Sequence, residues 1–562
     1  MHKKRLTFFL IFVVISFFII LIRLVDIQII HHSFYKKKAE SQRRRIIPIA
    51  TDRGDIYDRN GELLATSIDV KSIYVNPKEF VAYSKLENAL DITLPRFSKK
   101  RLFAWVKRKV DSKTVQKIEN LNLPGVYFLD EKKRIYPKGS LASQVLGFVG
   151  VDNEGLSGVE LSMEDYLKGE ALNIVTESDP AGYELLTKRE SEKKKISSGS
   201  NIYLSIDESI QYFAEREIKK AVEKYSALSG LVIVMDTKSG EILAMAGKPD
   251  FNPNNYDKFS SKVWRCKALD IYEPGSTFKT ITAAIGLNEG VIGLDSKFNA
   301  LDKIVVGGKT IENSHKINWK GNRFCTLSYT LEQSINTAMV QIGLKLGKEK
   351  LYNGIKNFGF GDSVDVGLRG ESPGIVRHFS YWYAPDIAMM TFGQSIAVTP
   401  LQLCLAYLAI GNKGELVKPA LIKKIQSEDQ KFVKKSTVNK IRNAISKKIS
   451  SEVLELLENV VLKGSGRRAK IKGFRVGGKT GTAQKANPDG RGYFKDKYIA
   501  SFIGLAPISD PKVLCLVVVD EPHGSIWGES VAGPVFQRVV EETLRYLNIK
   551  PDNLTGEAKI AN

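Results

Sequence analysis

One short group of residues in the middle of the chain combines a hydroxyl with an amine. Ser276-Thr-Phe-Lys279 follows Pro274-Gly275 and begins an apolar run, which predicts that Ser276 lies in the first turn of a helix. Residues at i and i+3 share a helix face, so Lys279 would lie over the Ser276 hydroxyl. Free N–H groups at a helix start can stabilise an oxyanion, and a lysine with a lowered pKa can act as a base. The expected chemistry is attack of a serine on a carbonyl.

Two further motifs follow Ser276 along the chain. Ser334-Ile-Asn336 comes next, within a predicted helix, and Lys479-Thr-Gly-Thr482 lies in the last fifth of the sequence. The Ser-x-x-Lys spacing alone is weak evidence, since it recurs at Ser33-Lys36, Ser191-Lys194 and Ser509-Lys512. The ordered set of SxxK, SxN and KTG is far more specific, and it is typical of penicillin-binding proteins and related β-lactamases.

The motifs around this set extend the likeness over nearly the whole chain. They are Thr391-Phe-Gly-Gln394, Val398-Thr-Pro-Leu-Gln402, Val476 to Gln484, Arg53-Gly54, Asp58-Arg-Asn-Gly61, Arg134-Ile-Tyr-Pro137 and Gly155 to Glu160. With them, the chain resembles a class B penicillin-binding protein, a monofunctional peptidoglycan D,D-transpeptidase. The resemblance implies an α+β fold, in which a serine β-lactamase-like transpeptidase domain with an antiparallel sheet and a helical part stands on an extended, mixed α/β pedestal.

The resemblance also implies a role for each catalytic residue. Ser276 would be the acylated nucleophile and Lys279 its proton acceptor, while Ser334 would relay protons to the leaving group. Asn336 would hold the peptide amide of the substrate, and Lys479 would supply positive charge. Whether Lys279 or Ser334 takes the first proton stays open at this point.

The substrate-binding residues implied by the resemblance are Thr480, Gly481 and Thr482. The two threonine hydroxyls would bind the terminal carboxylate, and the backbone N–H groups of Ser276 and Thr482 would form the oxyanion hole. Neither a metal nor an organic cofactor is implied. The implied ligands are D-Ala-D-Ala stem peptides, an acceptor amine and β-lactams.

Three details favour a septal, division-specific enzyme over an elongation-specific one. These are Glu273-Pro-Gly-Ser276, Ser334-Ile-Asn-Thr-Ala338 and Asp520-Glu-Pro522. The family implies a multi-span membrane glycosyltransferase and other division proteins as partners. A β-lactam-hydrolysing enzyme and a non-catalytic scaffold are the alternatives within the same fold.

A membrane anchor is predicted at the N-terminus. Residues 6–30 are strongly apolar and no small-residue cleavage site follows them, so we expect an uncleaved single span. Residues 1–5 would be cytoplasmic and the rest would lie outside the cytoplasmic (inner) membrane, although the basic residues after the span outnumber those before it. The expected domains are a pedestal at 31–195, whose charged end (187–195) suggests a linker, a transpeptidase domain at 196–550 and a flexible tail at 551–562.

The predicted elements of the catalytic domain bring its two ends together. Hairpins are expected at Leu231 to Ala246 and at Tyr498 to Val519, with a helix from Asp207 to Lys224. The predicted helices between the hairpins are Phe278 to Asn288, Leu331 to Leu346 and Pro400 to Ile410. The basic stretch 423–448 suggests a solvated surface insertion.

Composition and the remaining motifs exclude several other classes. The 562 residues carry a net charge of +22, yet the charge lies in scattered runs without interleaved aromatics, which argues against nucleic-acid binding. Gly473 to Thr480 matches a phosphate-binding loop, but no predicted strand precedes it and no helix follows. His315, His378 and His523 lack a GxSxG serine partner and are interpreted as surface or core residues. The four cysteines are widely spaced and predict buried apolar positions.

Overall fold

The chain forms two compact units in a computed structural model that describes residues 2–49, 52–169, 172–177, 198–427, 429–487 and 492–553. The first unit comprises residues 1–52 and 169–199, and the second comprises residues 53–168 and 200–562. The predicted linker at 187–195 lies outside the described residues.

The first unit begins with the predicted apolar helix. Helix α1 (His2–Val25) continues through a π-helical turn (Asp26–Ile30) and is followed by α2 (His32–Arg43) and β1 (Arg44–Ile49). Lys3–Ile30 forms a 28-residue span, about 42 Å of helix, long and apolar enough to cross a membrane. Its apolar side chains are exposed to the surroundings, as an anchor in lipid requires.

The pedestal opens the second unit and is built around the sheet that contains β2 to β5. Its elements are β2 (Ile56–Tyr57), β3 (Leu63–Val75), α3 (Tyr83–Leu90), β4 (Ala104–Val110), α4 (Ser112–Glu119), β5 (Val126–Ile135), α5 (Ser143–Leu146), α6 (Gly158–Ser162) and α7 (Glu164–Leu167). Strand β3 pairs antiparallel with both β4 and β5. Strand β6 (Leu172–Glu177) belongs to the first unit, where it pairs with β1.

Three of the pedestal motifs meet at one buried carboxylate. Glu160 is fully buried and accepts hydrogen bonds from Arg53 Nε at 2.6 Å and from Arg134 Nε at 2.7 Å. Burial alone would raise the pKa of Glu160, but the two guanidinium groups outweigh burial and hold the pKa below its usual value. These motif residues therefore hold the pedestal together.

The catalytic region contains the remaining elements. They are β7 (Asn201–Leu204), α8 (Glu208–Lys224), β8 (Ser229–Asp236), β9 (Ile242–Lys248), α9 (Lys279–Asn288), β10 (Lys297–Asn299), β11 (Lys303–Val306), β12 (Lys309–Glu312), β13 (Phe324–Thr326), α10 (Leu327–Glu332), α11 (Asn336–Asn357), α12 (Ala384–Met390), α13 (Pro400–Gly411), β14 (Glu415–Val417), β15 (Ile422–Gln426), β16 (Val433–Lys435), β17 (Lys440–Asn443), α14 (Lys447–Leu462), β18 (Gly477–Ala486), β19 (Tyr493–Ala506), β20 (Val513–Asp520), α15 (Gly528–Val531) and α16 (Gly533–Tyr546).

A five-stranded antiparallel sheet in the order β18-β19-β20-β8-β9 is the centre of this region. Alternate residues of β8 face opposite cores, with Val232 and Val234 toward α8 and α16, and Ile233 and Met235 in the larger core with α9 and α13. Both predicted hairpins are confirmed, and they are neighbours through β20 and β8. Strand β18 lies at the edge of the sheet.

Residues 429–441 of the basic stretch 423–448 are exposed, as its charge suggested, but the stretch also forms β16, β17 and most of β15. Strand β15 pairs with β7 and with β16, in a sheet that also contains β2 and β3. A lysine can occupy a strand such as β15 because its aliphatic stem packs along the sheet while its ammonium group remains outside. In β15, Lys424 Nζ lies 3.8 Å from the ring centroid of Tyr203. Helix α14 also begins earlier than expected, at Lys447, where Ser446 accepts a hydrogen bond from Ile449 N–H.

Candidate active site

Ser276 lies where a tight turn leads into a buried helix, as its motif predicted. Residues Gly275–Phe278 form a 3-10 turn that continues into α9, and Lys279 N–H donates to the Ser276 carbonyl. Gly275 adopts φ +56°, and its N–H donates to Gly393 O at 3.0 Å. The Ser276 side chain is half-buried and, among the described residues, forms no hydrogen bond through its hydroxyl. The hydroxyl is thus available to a substrate.

Lys279, Ser334 and Lys479 come together from three distant segments. Lys279 Nζ donates to the Ser334 carbonyl at 2.6 Å and to its hydroxyl oxygen at 3.1 Å. Lys479 Nζ lies 3.0 Å from the same hydroxyl oxygen. Both lysines are fully buried. The Ser334 hydroxyl therefore bridges two amines, which is the arrangement a proton relay requires.

The backbone at Ser334 differs from the continuous helix predicted over Leu331 to Leu346. Helix α10 ends at Glu332 and α11 begins at Asn336, and between them Ser334 adopts φ +55°. A left-handed conformation costs a non-glycine residue roughly 1–2 kcal/mol. The break points both the carbonyl and the hydroxyl of Ser334 at Lys279, which an uninterrupted helix would prevent because its carbonyls bond within the helix.

Burial dominates the electrostatics of the two lysines. Desolvation lowers the pKa of Lys279 well below its usual value, and the nearby charge of Lys479 lowers it further. Desolvation also lowers the pKa of Lys479, to about 7. Burial therefore favours the neutral amine of Lys279, which can accept a proton, whereas Lys479, with a pKa of about 7, still carries a partial positive charge at neutral pH.

The KTG residues lie on β18, next to the turn that holds Ser276. Lys479 bonds the Thr480 hydroxyl at 3.4 Å, and Ser465 bonds the same hydroxyl at 2.9 Å. A Cβ at Gly481 would lie 2.2 Å from the Ser501 hydroxyl oxygen and 3.0 Å from the Thr277 methyl carbon, so only glycine fits there without a shift. The close approach of the strand to the turn depends on this glycine.

Thr482 and Asn336 lie farther along the site. The Thr482 hydroxyl accepts a hydrogen bond from Gly528 N–H at 3.2 Å. Asn336 begins α11, is half-buried, and donates through Nδ2 to the Glu312 carbonyl at 2.8 Å. Because this bond uses the amide nitrogen of Asn336, the side-chain oxygen is left to accept a hydrogen bond from a donor such as a peptide N–H.

Comparison with known proteins gives the family of this chain. Residues 230–541 match the penicillin-binding protein transpeptidase domain, and residues 48–204 match the penicillin-binding protein dimerisation domain. The chain belongs to the class B penicillin-binding proteins. It is a peptidoglycan D,D-transpeptidase by family.

Similar proteins cover almost the entire length of this penicillin-binding protein. Stage V sporulation protein D of Bacillus subtilis is 35% identical, with 98% of this chain and 86% of that protein covered. Peptidoglycan D,D-transpeptidase FtsI of Escherichia coli is 32% identical over 95% of this chain and 90% of its own length. A crystal structure of a peptidoglycan synthetase from Bifidobacterium adolescentis has 26% identity and a TM-score of 0.74, and covers 92% of this chain and 99% of that one.

The structure of the transpeptidase domain also excludes a phosphate-binding loop at residues 473–480. Thr480 lies in the middle of strand β18, whereas the corresponding residue of a phosphate-binding loop begins a helix. His378 forms a hydrogen bond with the Ser380 hydroxyl, and His523 forms one with the Ser226 carbonyl. All three histidines are exposed, as the interpretation from the sequence allowed, and His315 also lies near the two buried lysines.

His315 lies near Lys279 and Lys479 although no motif marked it. Burial and then the charges of Lys279 and Lys479 lower the pKa of its imidazole. Its ring meets Trp527 edge-on, with the ring centroids 6.5 Å apart. His315 follows the β11–β12 hairpin, and Trp527 immediately precedes α15. Their proximity arises from the tertiary fold, so no local sequence pattern could have indicated it.

The four cysteines are where their spacing predicted. Cys266, Cys325, Cys404 and Cys515 are all buried and free. Burial raises the pKa of the Cys266 thiol to about 12, so the thiol stays protonated and unreactive at neutral pH.

Proposed function

We propose that this transpeptidase crosslinks peptidoglycan stem peptides through an acyl-enzyme at Ser276. The observation that carries the proposal is the convergence of Lys279 and Lys479 on the Ser334 hydroxyl, beside the turn that holds Ser276. A neutral buried amine next to a serine at a helix start supplies the base and the oxyanion environment that acyl transfer needs.

In the first half-reaction, Ser276 Oγ attacks the carbonyl of the D-Ala-D-Ala peptide bond. Its proton passes to the neutral amine of Lys279, and the bond to the terminal D-alanine breaks as Ser334 relays a proton to the leaving nitrogen. Lys279 is the first acceptor in this proposal because it is the group that burial keeps neutral.

In the second half-reaction, an acceptor amine attacks the ester. Its nitrogen forms the new amide bond, its released proton returns through Ser334 and Lys279, and the Ser276 oxygen leaves and takes a proton back. The enzyme ends in its starting protonation state, so the exchange of one amide bond for another is balanced without a cofactor.

Substrate binding is assigned to the neighbouring groups. Lys479, Thr480 and Thr482 would bind the terminal carboxylate, with Gly481 allowing the close approach. Asn336 would accept from the peptide amide. The N–H groups of Ser276 and Thr482 would face the oxyanion, because the 3-10 turn and the edge of β18 lie side by side.

Intact-mass measurement and peptide mapping after incubation with a penicillin test the assignment. We expect one stable acyl adduct on Ser276, lost in Ser276→Ala. Ser509→Ala is the matched control, since Ser509 has the same Ser-x-x-Lys spacing outside the site and should leave the adduct intact. Drug turnover without an adduct would favour hydrolysis of β-lactams, and neither adduct nor turnover would favour a scaffold.

We further propose a septal role for the protein. In this arrangement residues 1–5 are cytoplasmic and residues 6–30 span the cytoplasmic membrane. The pedestal at 31–195 and the transpeptidase domain at 196–550 lie on the outer side of that membrane. The motifs at Glu273 and Asp520 and the likeness to FtsI support this role, and the partners would be a multi-span glycosyltransferase and other division proteins. The likeness to a protein named for stage V of sporulation supports a second candidate, synthesis at a sporulation-specific stage. Depletion of the protein in cells distinguishes these roles. Filamentous cells indicate a role in septation, rounded cells indicate a role in elongation, and normal growth with defective spores indicates the sporulation-specific role.

A further inference from the structure

A half-buried carboxylate lies three residues before the nucleophile and has no part in the mechanism above. Glu273 Oε1 accepts hydrogen bonds from Ser395 N–H at 3.0 Å and from the Tyr493 hydroxyl at 3.2 Å. Its other oxygen, Oε2, is buried and has no hydrogen-bond partner in the described part of the chain. A side chain with a buried polar atom and so few partners calls for a reason beyond local stability.

The first contact fastens the loop that carries the nucleophile. Backbone hydrogen bonds join Tyr272 to Val398 and Gly275 to Gly393, and the Glu273 side chain reaches Ser395 between these two points. Ser395 adopts φ +59°, a conformation that is uncommon outside glycine and asparagine. Its bond to Glu273 helps to hold this strained loop against the nucleophile turn.

The second contact reaches the strand that carries the KTG residues. Tyr493 begins β19 and pairs with Ala486 at the end of β18, on the same hairpin as Lys479 and Thr482. Burial raises the pKa of the Tyr493 hydroxyl, which therefore stays protonated and donates to Glu273. The Tyr493 ring packs against an apolar cluster formed by Val306, Ile311, Val340, Ala388, Met389 and Phe392.

We propose that Glu273 and Tyr493 are positioning residues, which together hold the Lys479–Thr482 strand at its working distance from Ser276. The proposal rests on the proposed function, since it concerns the alignment of the Ser276 nucleophile with the strand that binds the carboxylate and the oxyanion. Acyl transfer is sensitive to such alignment, and a displacement of about 1 Å can cost roughly 100-fold in rate. One carboxylate oxygen is the common acceptor for both sides of the site.

The test is the acylation of the full-length protein in detergent by a penicillin, with the binding constant Ks and the acylation rate constant k2 separated by stopped-flow. Tyr493→Phe removes one hydroxyl and keeps the ring in its apolar cluster, so the fold is retained. We expect k2 to fall about tenfold, the effect of losing one hydrogen bond to a carboxylate, while Ks changes by less than about threefold. A purely structural role would lower the melting temperature without this division between k2 and Ks.

Four further variants make the outcome decisive. Tyr498→Phe is the matched control on the same strand, because its hydroxyl donates to the Lys495 carbonyl, and it should acylate at the wild-type rate. Glu273→Gln keeps an acceptor oxygen and should retain k2 within about threefold. Adding Tyr493→Phe to Glu273→Ala should slow acylation no further than Glu273→Ala alone, since both remove one interaction.

Two results would overturn the positioning role while leaving the proposed function intact. The first is a wild-type k2 for Tyr493→Phe with an adduct still on Ser276. The second is a fully additive loss in the double variant, which would mean that Glu273 and Tyr493 act separately. Failure of the wild-type protein to form a Ser276 adduct would instead refute the proposed function itself.

Discussion

Replacing Lys479 by methionine should change the pH dependence of acylation in a direction that the structure fixes. The Nζ atoms of Lys279 and Lys479 lie 3.1 Å and 3.0 Å from the same hydroxyl oxygen, so they are at most about 6 Å apart. Two ammonium charges at that distance repel by roughly 3 kcal/mol at an effective dielectric constant of about 20. That energy alters a protonation equilibrium by roughly 100-fold.

The sign follows from which form of each lysine acts. Acylation needs neutral Lys279, so its rate falls on the acid side as Lys279 becomes protonated. Below pH 7 the wild-type Lys479 is mostly charged, since its pKa is about 7, and it opposes that protonation. Lys479→Met removes the opposing charge and raises the pKa of Lys279, so the acid limb should move to higher pH. The wild-type rate should also fall above pH 7, as Lys479 loses the charge that attracts the substrate carboxylate.

The assay measures k2/Ks for a penicillin, because this ratio reports the ionisations of the free enzyme. The measurements run from about pH 5 to about pH 9, where the protein is expected to remain folded. Lys485→Met is the control: Lys485 lies on the same strand, but its ammonium bonds Asp520 and Glu521, so its loss should leave the acid limb in place. An acid limb of Lys479→Met that overlays the wild type, or that moves to lower pH, would refute this account of Lys279 as the base.

Three other substitutions and one control test the framework of the protein. Gly393→Ala would place a Cβ 2.2 Å from the Gly275 carbonyl oxygen and should lower the melting temperature and slow acylation, whereas Gly370→Ala, at φ +88° with open space around it, should cost only the backbone strain of about 1–2 kcal/mol. Glu160→Gln should lower the free energy of unfolding by about 3–5 kcal/mol, measured by thermal unfolding. In the wild-type protein, the stabilisation from ionised Glu160 is complete above the pKa of about 4.3 that a glutamate has in the unfolded chain. This stabilisation is lost as the pH falls through the lower pKa of Glu160 in the folded protein. Tyr407→Phe leaves a buried carbonyl without its hydroxyl donor and should cost about 1–3 kcal/mol by the same measurement.

The sheet and the position of the nucleophile were predictable because local patterns determine them. The hairpin at Leu231 to Ala246 has an apolar strand on each side of Asp236 to Gly240, and the structure has β8 and β9 there. Asp207 caps α8 by accepting from Ser209 and Ile210 N–H groups, as its position before the helix indicated. Likewise, the glycine before Ser276 supplies the φ of +56° that the turn requires.

Where prediction from the sequence failed, long-range contacts decide the structure. Residues 331–346 are mostly helix-forming, yet the chain leaves the helix at Ser334, where Lys279 bonds both its carbonyl and its hydroxyl. The stretch 423–448 is exposed over residues 429–441, as its charge suggested, but its composition did not indicate that residues 423–426 pair with β7 in a sheet. His315 reaches the site only through the fold of the β11–β12 hairpin, which no spacing in the sequence encodes.

The two buried lysines indicate why this site suits an anionic substrate. Among the described residues, no carboxylate pairs with Lys279 or with Lys479, and both bond a serine hydroxyl instead. A buried ammonium without a counter-ion is costly, so burial lowers the pKa of both lysines. A carboxylate arriving beside Lys479 supplies the missing counter-ion and raises the pKa of Lys479, which then holds its proton. In the proposed mechanism, the charge of Lys479 would in turn keep Lys279 neutral, so binding of the substrate's carboxylate would prepare the base for the attack by Ser276.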